Sequence, residues 1–289
     1  MQAPDFDLTR TLECGQVFHW QREDSGWLGA IGEQAVFLEQ REAELRIEAE
    51  DEKRVQHYLA LDHPLAEICA SFPGDPAMVA AREFGHGMRI IRQPAWECLA
   101  TFITSSMKQV AHIAQISHTL RRRYGRSLSW RGKPLFAYPT PEAFAALSEE
   151  ELRACALGYR AKNLLGAARM VASGEVDLAK VARMENEEAR AELCRLPGVG
   201  VKVANCTLLF GFERLRAFPI DVWIERVLRE IYFPKKRQVT TRRLQEFSAT
   251  YFGEYGGYAQ QYLFHHARMT WPRGKTDRRK KLLPKKIAD

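Results

Sequence analysis

The sequence has no apolar run close to the roughly 20 residues that a membrane-spanning helix needs, which argues against a membrane protein. Its first ten residues contain two aspartates and no apolar stretch, so no secretory signal peptide is expected. The six cysteines are scattered without paired spacing, which favours reduced thiols over a disulfide framework. No set of His, Cys and carboxylate residues has zinc-binding spacing, and no internal repeat is visible. We therefore expect a globular intracellular protein.

Positive charge is plentiful but unevenly placed. The 289 residues carry a net charge of +7. Residues 272–289 contain eight Lys and Arg against two Asp, a net of +6, which leaves +1 for the rest of the chain. This balance favours a polyanionic partner without proving one, and local patches of the body must supply its affinity. We expect the basic tail to be disordered.

The pattern of apolar residues predicts an α+β fold with two domains. Partial alternation predicts strands over 16–20, 26–31, 35–40 and 44–48, followed by a helix over 52–61. Helical spacing begins at about residue 76 and continues, broken by Gly and Pro, to 270. We predict an N-terminal antiparallel β-sheet domain over 1–75, an all-helical domain over 76–271 and a basic tail over 272–289.

The most informative stretch is Leu-Pro-Gly-Val-Gly-Val-Lys at 196–202. Gly198 and Gly200 permit a tight turn whose N–H groups can face an anion such as phosphate. Lys202 then begins a helix, where the helix dipole disfavours a cation and favours a neutral nucleophilic amine. Asp221 begins a later helix, and by residue type it is an ordinary N-cap. Lys202 by type alone is a surface lysine.

Five sequence elements in one order carry a resemblance that no single element would. They are Gly-Gln-Val-Phe-His-Trp at 15–20, Gly-Tyr-Arg-Ala at 158–161, the glycine hairpin, Lys-Val-Ala-Asn-Cys at 202–206, and Tyr-Ala-Gln with Leu-Phe at 258–264. Together they resemble the helix-hairpin-helix DNA glycosylase superfamily, and most closely the 8-oxoguanine DNA glycosylase family. The resemblance spans residues 7–270. It implies the family's fold, a sheet domain followed by a helix-hairpin-helix domain.

The resemblance also implies an activity. It predicts a base-excision repair enzyme that flips 8-oxoguanine out of duplex DNA, removes it and nicks the strand by β-elimination. Lys202 matches the family's Schiff-base lysine, which attacks C1′ of the damaged nucleoside. Asp221 matches the carboxylate that stabilises positive charge on the sugar as the base departs. Monomeric action inside the cell is expected, in the cytoplasm or nucleoid, or in the nucleus of a eukaryote.

Four further positions match the family's base pocket. Gly15 would offer a backbone carbonyl to N7–H, the donor that 8-oxoguanine has and guanine lacks. Gln260 would read the Watson–Crick edge of the purine, and Phe264 would stack on its face. Cys206 would form the opposite wall, electrostatically paired with the lysine one helical turn before it. Each position also has a structural reading, as a strand glycine, a core aromatic with a polar neighbour, or a small buried residue.

Other matched positions concern the DNA strand itself. Tyr159 would wedge into the base stack, and Arg160 would contact the estranged base. By type they are a loop aromatic and a solvated charge. Gly198 and Gly200 would bind backbone phosphate through the N–H groups of the hairpin.

The resemblance implies no cofactor for catalysis. It does imply a structural monovalent or divalent cation held by backbone carbonyls of the hairpin, at positions that match Cys194, Leu196 and Val199. Because no cysteine follows Cys206, we expect no C-terminal iron–sulfur cluster of the kind found in the endonuclease III branch of the superfamily.

Three positions depart from the family pattern. Met107 stands where an asparagine normally fills the gap left by the flipped base, and His112 stands where an arginine pairs with the orphaned cytosine. Methionine can wedge but cannot hydrogen-bond cytosine as asparagine does, and histidine is a shorter donor than arginine. We therefore predict relaxed discrimination of the base opposite the lesion. Trp223 replaces a histidine that contacts phosphate, and it supplies either an N–H donor or packing.

Two other functions stay open at this point. An alkylpurine DNA glycosylase shares the two-domain plan, but that branch lacks the hairpin lysine, and Gly15, Lys202 and Gln260 argue against it. A non-catalytic helix-hairpin-helix protein would use the hairpin only to grip phosphate, and Asp221 with the pocket residues argues against that. The basic tail is either a nuclear address or a DNA-tethering arm.

Overall fold

The computed structural model describes residues 1–106, 109–234 and 238–271. Within these ranges an antiparallel sheet is followed by a helical domain, so the predicted α+β fold is confirmed. The strands are β1 (Gln21–Glu23), β2 (Gly26–Ile31), β3 (Gln34–Arg41), β4 (Glu44–Glu48), β5 (Ser127–Trp130) and β6 (Lys133–Phe136). The helices are α1 (Leu8–Glu13), α2 (Glu52–Tyr58), α3 (Leu65–Ala70), α4 (Pro76–Phe84), α5 (Ala95–Ser105), α6 (Val110–Tyr124), α7 (Pro141–Ala145), α8 (Glu149–Leu152), α9 (Arg160–Ala172), α10 (Leu178–Val181), α11 (Asn186–Leu193), α12 (Val201–Gly211), α13 (Val222–Val227), α14 (Thr241–Tyr251) and α15 (Gly256–Thr270).

The N-terminal sheet is a meander of four strands in the order β1-β2-β3-β4. Strands β2 and β3 pair with Trp27 opposite Leu38, and β3 and β4 pair with Leu38 opposite Ile47. The predicted strand over 16–20 is wrong, because this segment forms no ladder. Hydrogen bonds from side chains hold its backbone instead. For example, Nε2 of Gln93 donates to the carbonyl of Gln16 at 2.8 Å.

A two-stranded hairpin, β5–β6, interrupts the part of the chain that was predicted to be all helical. Its Trp130 ring stacks on Phe37 of β3, with ring centroids 4.8 Å apart. The hairpin therefore extends the surface of the first sheet. Each strand has only four residues, and Pro134 lies within β6, so the segment is too short and too interrupted for its alternation to stand out from a loop.

Two hydrophobic cores share the molecule. Residues such as Leu12, Val36 and Leu45 fill a small core under the sheet, whereas the larger core is made by the helices. The helical core also takes in Cys14 and Phe18 from the N-terminal segment. The sheet domain thus contributes residues to the other core, and the predicted boundary between residues 75 and 76 stays a prediction.

Buried polar contacts join the two parts of the molecule. Gln16 donates through Nε2 to the carbonyls of Thr11 and Arg89, both at 2.8 Å, and its Oε1 accepts from the Ile91 N–H at 3.0 Å. Because every polar atom of this buried amide is engaged, Gln16 fixes the turn that carries Gly15. None of the helices in the described ranges has both the length and the apolarity that a bilayer crossing requires.

Candidate active site around the glycine hairpin

The hairpin between α11 and α12 depends on one of its two glycines. Gly198 has a φ of 80°, and a Cβ there would lie 2.8 Å from side-chain atoms of Asn163. Gly200 has an ordinary extended backbone (φ −99°, ψ 179°), and nothing lies within 4 Å of the place of its Cβ. Gly198 is therefore required by the fold of the turn. Gly200 leaves an open surface at the beginning of α12.

Lys202 lies in the first turn of α12 and is half-buried, as its sequence position predicts. Its Nζ stands 5.0 Å from the ring centroid of Phe102 on α5. Phe102 is in turn stacked on Phe210 at 5.6 Å and meets the edge of Phe18 at 6.1 Å. The aromatic support limits where the amine can point. Phe102 carries no signal of this role in the sequence, because an aromatic in an apolar helix indicates only core packing.

Cys206 is buried one turn beyond the lysine, as predicted. Burial raises the pKa of its thiol to about 11, although the nearby Lys202 charge and a hydrogen bond with Lys202 oppose the rise. The thiol is therefore protonated at neutral pH. The lysine therefore meets a polarisable neutral thiol, and the role of this pair as a wall of the base pocket stays a prediction.

Asp221 caps α13 and faces the same site. Its Oδ1 accepts from the N–H groups of Trp223 at 3.0 Å and Ile224 at 2.8 Å. Burial nevertheless raises the pKa of the Asp221 carboxyl, while the cap hydrogen bonds and the Lys202 charge partly offset the rise. Since the Lys202 charge acts on the Asp221 carboxyl, the structure places the predicted nucleophile within electrostatic reach of the predicted carboxylate.

The predicted recognition residues Gly15 and Phe264 meet where α15 packs against the turn after α1. Gly15 has a φ of 93°, and a Cβ there would lie 3.1 Å from Cε1 of Phe264. Gln260 is 3% exposed, and among the described residues its Oε1 has no hydrogen-bond partner. A buried oxygen without a partner costs stability, so Gln260 is available to a ligand that supplies a donor.

The residues predicted to contact the DNA strand are divided between surface and interior. Tyr159 is 56% exposed at the beginning of α9, and His112 is exposed in the first turn of α6. Arg160 is buried, with Nε donating to the Ser106 carbonyl at 2.8 Å and its guanidinium 4.4 Å from the Tyr159 ring centroid. In this structure it supports the tyrosine and the end of α5, so a contact with the estranged base stays a prediction.

Trp223 and Met107, which depart from the family pattern, differ in what the structure shows of them. Trp223 packs against the helical core and is half-buried, which favours packing over the donor role. Met107 and the basic tail over 272–289 lie outside the described residues.

The backbone carbonyls of Cys194, Leu196 and Val199, which were predicted to hold a cation, retain acceptor capacity for one. Leu196 accepts a hydrogen bond from the Val199 N–H at 3.1 Å, which leaves one lone pair of its carbonyl. The described hydrogen bonds use neither the Cys194 nor the Val199 carbonyl. Hard cations prefer such oxygens. No cluster of three or more His, Cys, Asp or Glu side chains suited to a metal occurs in the described part of the chain.

Comparison with known families identifies this arrangement. The family model for the N-terminal domain of 8-oxoguanine DNA glycosylase matches residues 1–99, and that for HhH-GPD superfamily base excision DNA repair proteins matches residues 100–250. The chain therefore belongs to the HhH-GPD superfamily of base excision DNA repair proteins, with the N-terminal domain of its 8-oxoguanine glycosylases. The resemblance inferred from the sequence motifs is confirmed.

Individual relatives agree with this assignment over most of their length. A probable N-glycosylase/DNA lyase of Methanothermobacter thermautotrophicus is 30% identical, over 68% of this chain and 69% of its own. The structure of MBOgg1 in complex with a low-affinity DNA ligand has a TM-score of 0.87 and 33% identity, and covers 92% of this chain and 93% of its own. The Clostridium acetobutylicum 8-oxoguanine glycosylase/lyase, bound to duplex DNA with cytosine opposite 8-oxoguanine, has a TM-score of 0.87 and 29% identity, with 92% of both chains covered.

Proposed function

We propose that this chain removes 8-oxoguanine from duplex DNA and then cleaves the strand, with Lys202 as the nucleophile of both steps. The observation that carries the proposal is the meeting of Lys202, Cys206 and Asp221 beside the glycine hairpin, within a family that repairs bases. A phosphate-binding turn, an amine and a carboxylate within its electrostatic reach are what attack on a nucleotide sugar requires. Asp221 caps α13 in any case, but capping alone does not require an amine beside the carboxylate.

The chemistry follows from these three groups. The neutral amine of Lys202 attacks C1′ as the bond from C1′ to the base breaks, and the base leaves with the bonding electrons and takes up a proton. The carboxylate of Asp221 stabilises the positive charge that develops on the sugar. The bond between C1′ and O4′ then breaks, O4′ takes up the remaining amine proton, and an imine forms between Lys202 and C1′. Loss of a 2′ proton from the imine then expels the 3′ phosphate, which is β-elimination.

Base recognition is assigned to the opposite side of the site. The Gly15 carbonyl accepts N7–H of 8-oxoguanine, and guanine would present a repelling acceptor there. The Oε1 and Nε2 atoms of Gln260 pair with the Watson–Crick edge, which satisfies the buried amide. The base lies between the Phe264 ring and the neutral Cys206 thiol, a sandwich typical of enzymes that flip bases.

The remaining contacts hold the bent duplex. N–H groups at Gly198 and Gly200 bind phosphate, and a cation on the carbonyls of Cys194, Leu196 and Val199 would add positive charge there. Tyr159 wedges into the stack. We propose that the enzyme acts as a monomer on cellular DNA, in the cytoplasm or nucleoid, or in the nucleus if the source is eukaryotic.

Borohydride trapping tests the proposal most directly. Wild-type protein is mixed with duplexes carrying 8-oxoguanine, guanine or an abasic site, and the covalent adduct is measured beside Lys202→Gln. We expect wild-type protein to form an adduct with the 8-oxoguanine duplex and the abasic duplex, and none with guanine. In Lys202→Gln the adduct yield should fall by at least about three orders of magnitude. Lys180→Gln is the control, because this side chain is 74% exposed on α10. Base release without an adduct would instead indicate hydrolysis assisted by Asp221 alone.

A further inference from the structure

The face of α15 that carries Gln260 and Phe264 continues for one more turn to Arg268. These three residues follow one another at spacings of four, so their side chains share a stripe. The guanidinium of Arg268 lies 5.5 Å from the ring centroid of Phe264. Its Nη2 also donates to the carbonyl of Glu13 at 2.6 Å. Arg268 therefore contacts both the stacking ring and the turn after α1.

The turn itself is oriented by two side chains of the same helix. Beside the bond from Arg268 to Glu13, Nε2 of Gln261 donates to the carbonyl of Cys14 at 3.1 Å. The next carbonyl is that of Gly15, and no hydrogen bond found among the described residues uses it. Two consecutive carbonyls are thus fixed, and the third remains for a ligand.

The guanidinium also lies against Gly15. Nη1 of Arg268 and Cε1 of Phe264 are each 3.1 Å from the place where a Cβ on Gly15 would stand. A planar guanidinium can stack on a ring and donate sideways at the same time, which a lysine ammonium cannot do. The Arg268 guanidinium and the Phe264 ring therefore both pack on Gly15, and Arg268 contacts the ring and the turn at the same time.

We propose that Arg268 is a positioning residue for base recognition, which holds the Gly15 carbonyl and the Phe264 ring in the relative geometry that accepts the flipped purine. The inference rests on the proposed function of this site. It assigns Arg268 no contact with the reacting sugar. Its effect must therefore be confined to steps in which a base occupies the pocket.

Substitution of Arg268 should therefore slow base excision but not cleavage at an abasic site. An abasic site has no base, so its cleavage by Lys202 does not need the recognition side. Displacing recognition groups by about an ångström can cost on the order of 100-fold in rate. We expect Arg268→Leu to lower single-turnover excision of 8-oxoguanine by about 30-fold to 100-fold. The rate of cleavage at a preformed abasic site should stay within about 2-fold of wild type.

The experiment measures both rates for wild type, Arg268→Leu and Arg268→Lys on otherwise identical duplexes. The lysine variant keeps the charge but loses the planar contact, so its excision rate should fall between the other two. Arg131→Leu is the matched control, because Arg131 also lies over an aromatic ring, Trp130, but belongs to the exposed β5–β6 turn. Thermal unfolding shows which variants are folded, and the lysine variant provides the same comparison if the leucine variant does not fold.

Each outcome decides the inference. Equal losses in excision and abasic cleavage would overturn it, because they would indicate a general structural role. Unchanged excision in Arg268→Leu would overturn it as well. Failure of the wild type to excise 8-oxoguanine while it still cleaves abasic DNA would overturn the proposed substrate, and the inference with it.

Discussion

The two sides of the candidate pocket are built in opposite ways. The chemical side, Lys202 with Cys206 and Asp221, comes from one short region of the chain around the hairpin. The recognition side joins Gly15, near the N-terminus, to Gln260 and Phe264 on the last helix. Local sequence places the residues of the first side on neighbouring elements, although packing against α5 completes it, whereas the second side joins the two ends of the chain. Reaction chemistry and base selection should therefore be separable by mutation.

Among the substitutions that test whether chemistry and base recognition are separable, we expect the largest loss of excision at Asp221. Asparagine caps a helix as well as aspartate does, so Asp221→Asn removes the charge and keeps the cap. We expect 8-oxoguanine excision to fall by roughly 100-fold to 1000-fold, because stabilisation of the developing sugar cation is lost. Single-turnover rates measure this loss, and a rate near that of wild type would contradict the role.

The same variant tests a pH dependence. Burial raises the pKa of the Asp221 carboxyl in the fold, so the carboxylate is protonated at a higher pH than an exposed aspartate. Excision should therefore fall as pH decreases through this raised pKa, and the fall should be absent in Asp221→Asn. Because ionisation is disfavoured in the folded state, the variant should be no less stable at neutral pH. Thermal unfolding at pH 7 checks that expectation.

The next effect distinguishes two neighbouring glutamines on the recognition side. Gln260→Met removes a buried oxygen that has no partner, so stability should be unchanged or rise by up to about 1 kcal/mol. Excision should nevertheless fall by about 10-fold to 100-fold, with abasic cleavage unaffected.

Gln261→Met is the matched control for the stability measurement, because Gln261 also helps to hold the turn that carries Gly15. It removes the hydrogen bond to the Cys14 carbonyl, so we expect it to destabilise the fold by about 1 kcal/mol or more. Chemical denaturation of both variants gives the comparison. A Gln260→Met protein less stable than Gln261→Met would show that Gln260 is structural and not reserved for a base.

A smaller effect is expected at the two glycines of the hairpin. Gly198→Ala places a residue at φ 80° against Asn163 and should cost about 1–3 kcal/mol of stability. Gly200→Ala meets no atom within 4 Å and should be nearly neutral for stability. Affinity for undamaged duplex, measured by fluorescence anisotropy, should fall in the first variant. Equal stability of the two proteins would contradict the assigned conformations.

The smallest effect concerns the base opposite the lesion. With His112 exposed and shorter than arginine, excision rates opposite C, T, G and A should lie within about 3-fold of one another. His112→Arg should increase the preference for cytosine by a few-fold, on the order of one hydrogen bond. A large preference for cytosine in the wild type would reject the prediction.

Prediction from sequence succeeded where a local pattern dictated a local structure. The strands at 26–31 and 44–48 and the helix at 76–84 were placed by alternation and by helical spacing. It failed at 16–20, where Gln16 binds through its side chain, and at β5–β6, whose strands have only four residues each. In the first place a buried side chain that bonds the distant Arg89 decides the backbone. In the second the pairing is local, but four residues are too few for alternation to identify a strand.

The sequence by itself determined the hairpin, the position of Lys202 in the first turn of a helix, and the cap at Asp221, since glycine freedom and helix capping act over a few residues. The ordered motifs also determined the family. Only the tertiary structure decided that the Cys206 thiol is neutral, that the Asp221 carboxyl has a raised pKa, and that Arg268 joins Gly15 to Phe264. Burial and contacts between the two ends of the chain arise from packing of the whole molecule, and no local stretch of residues specifies them.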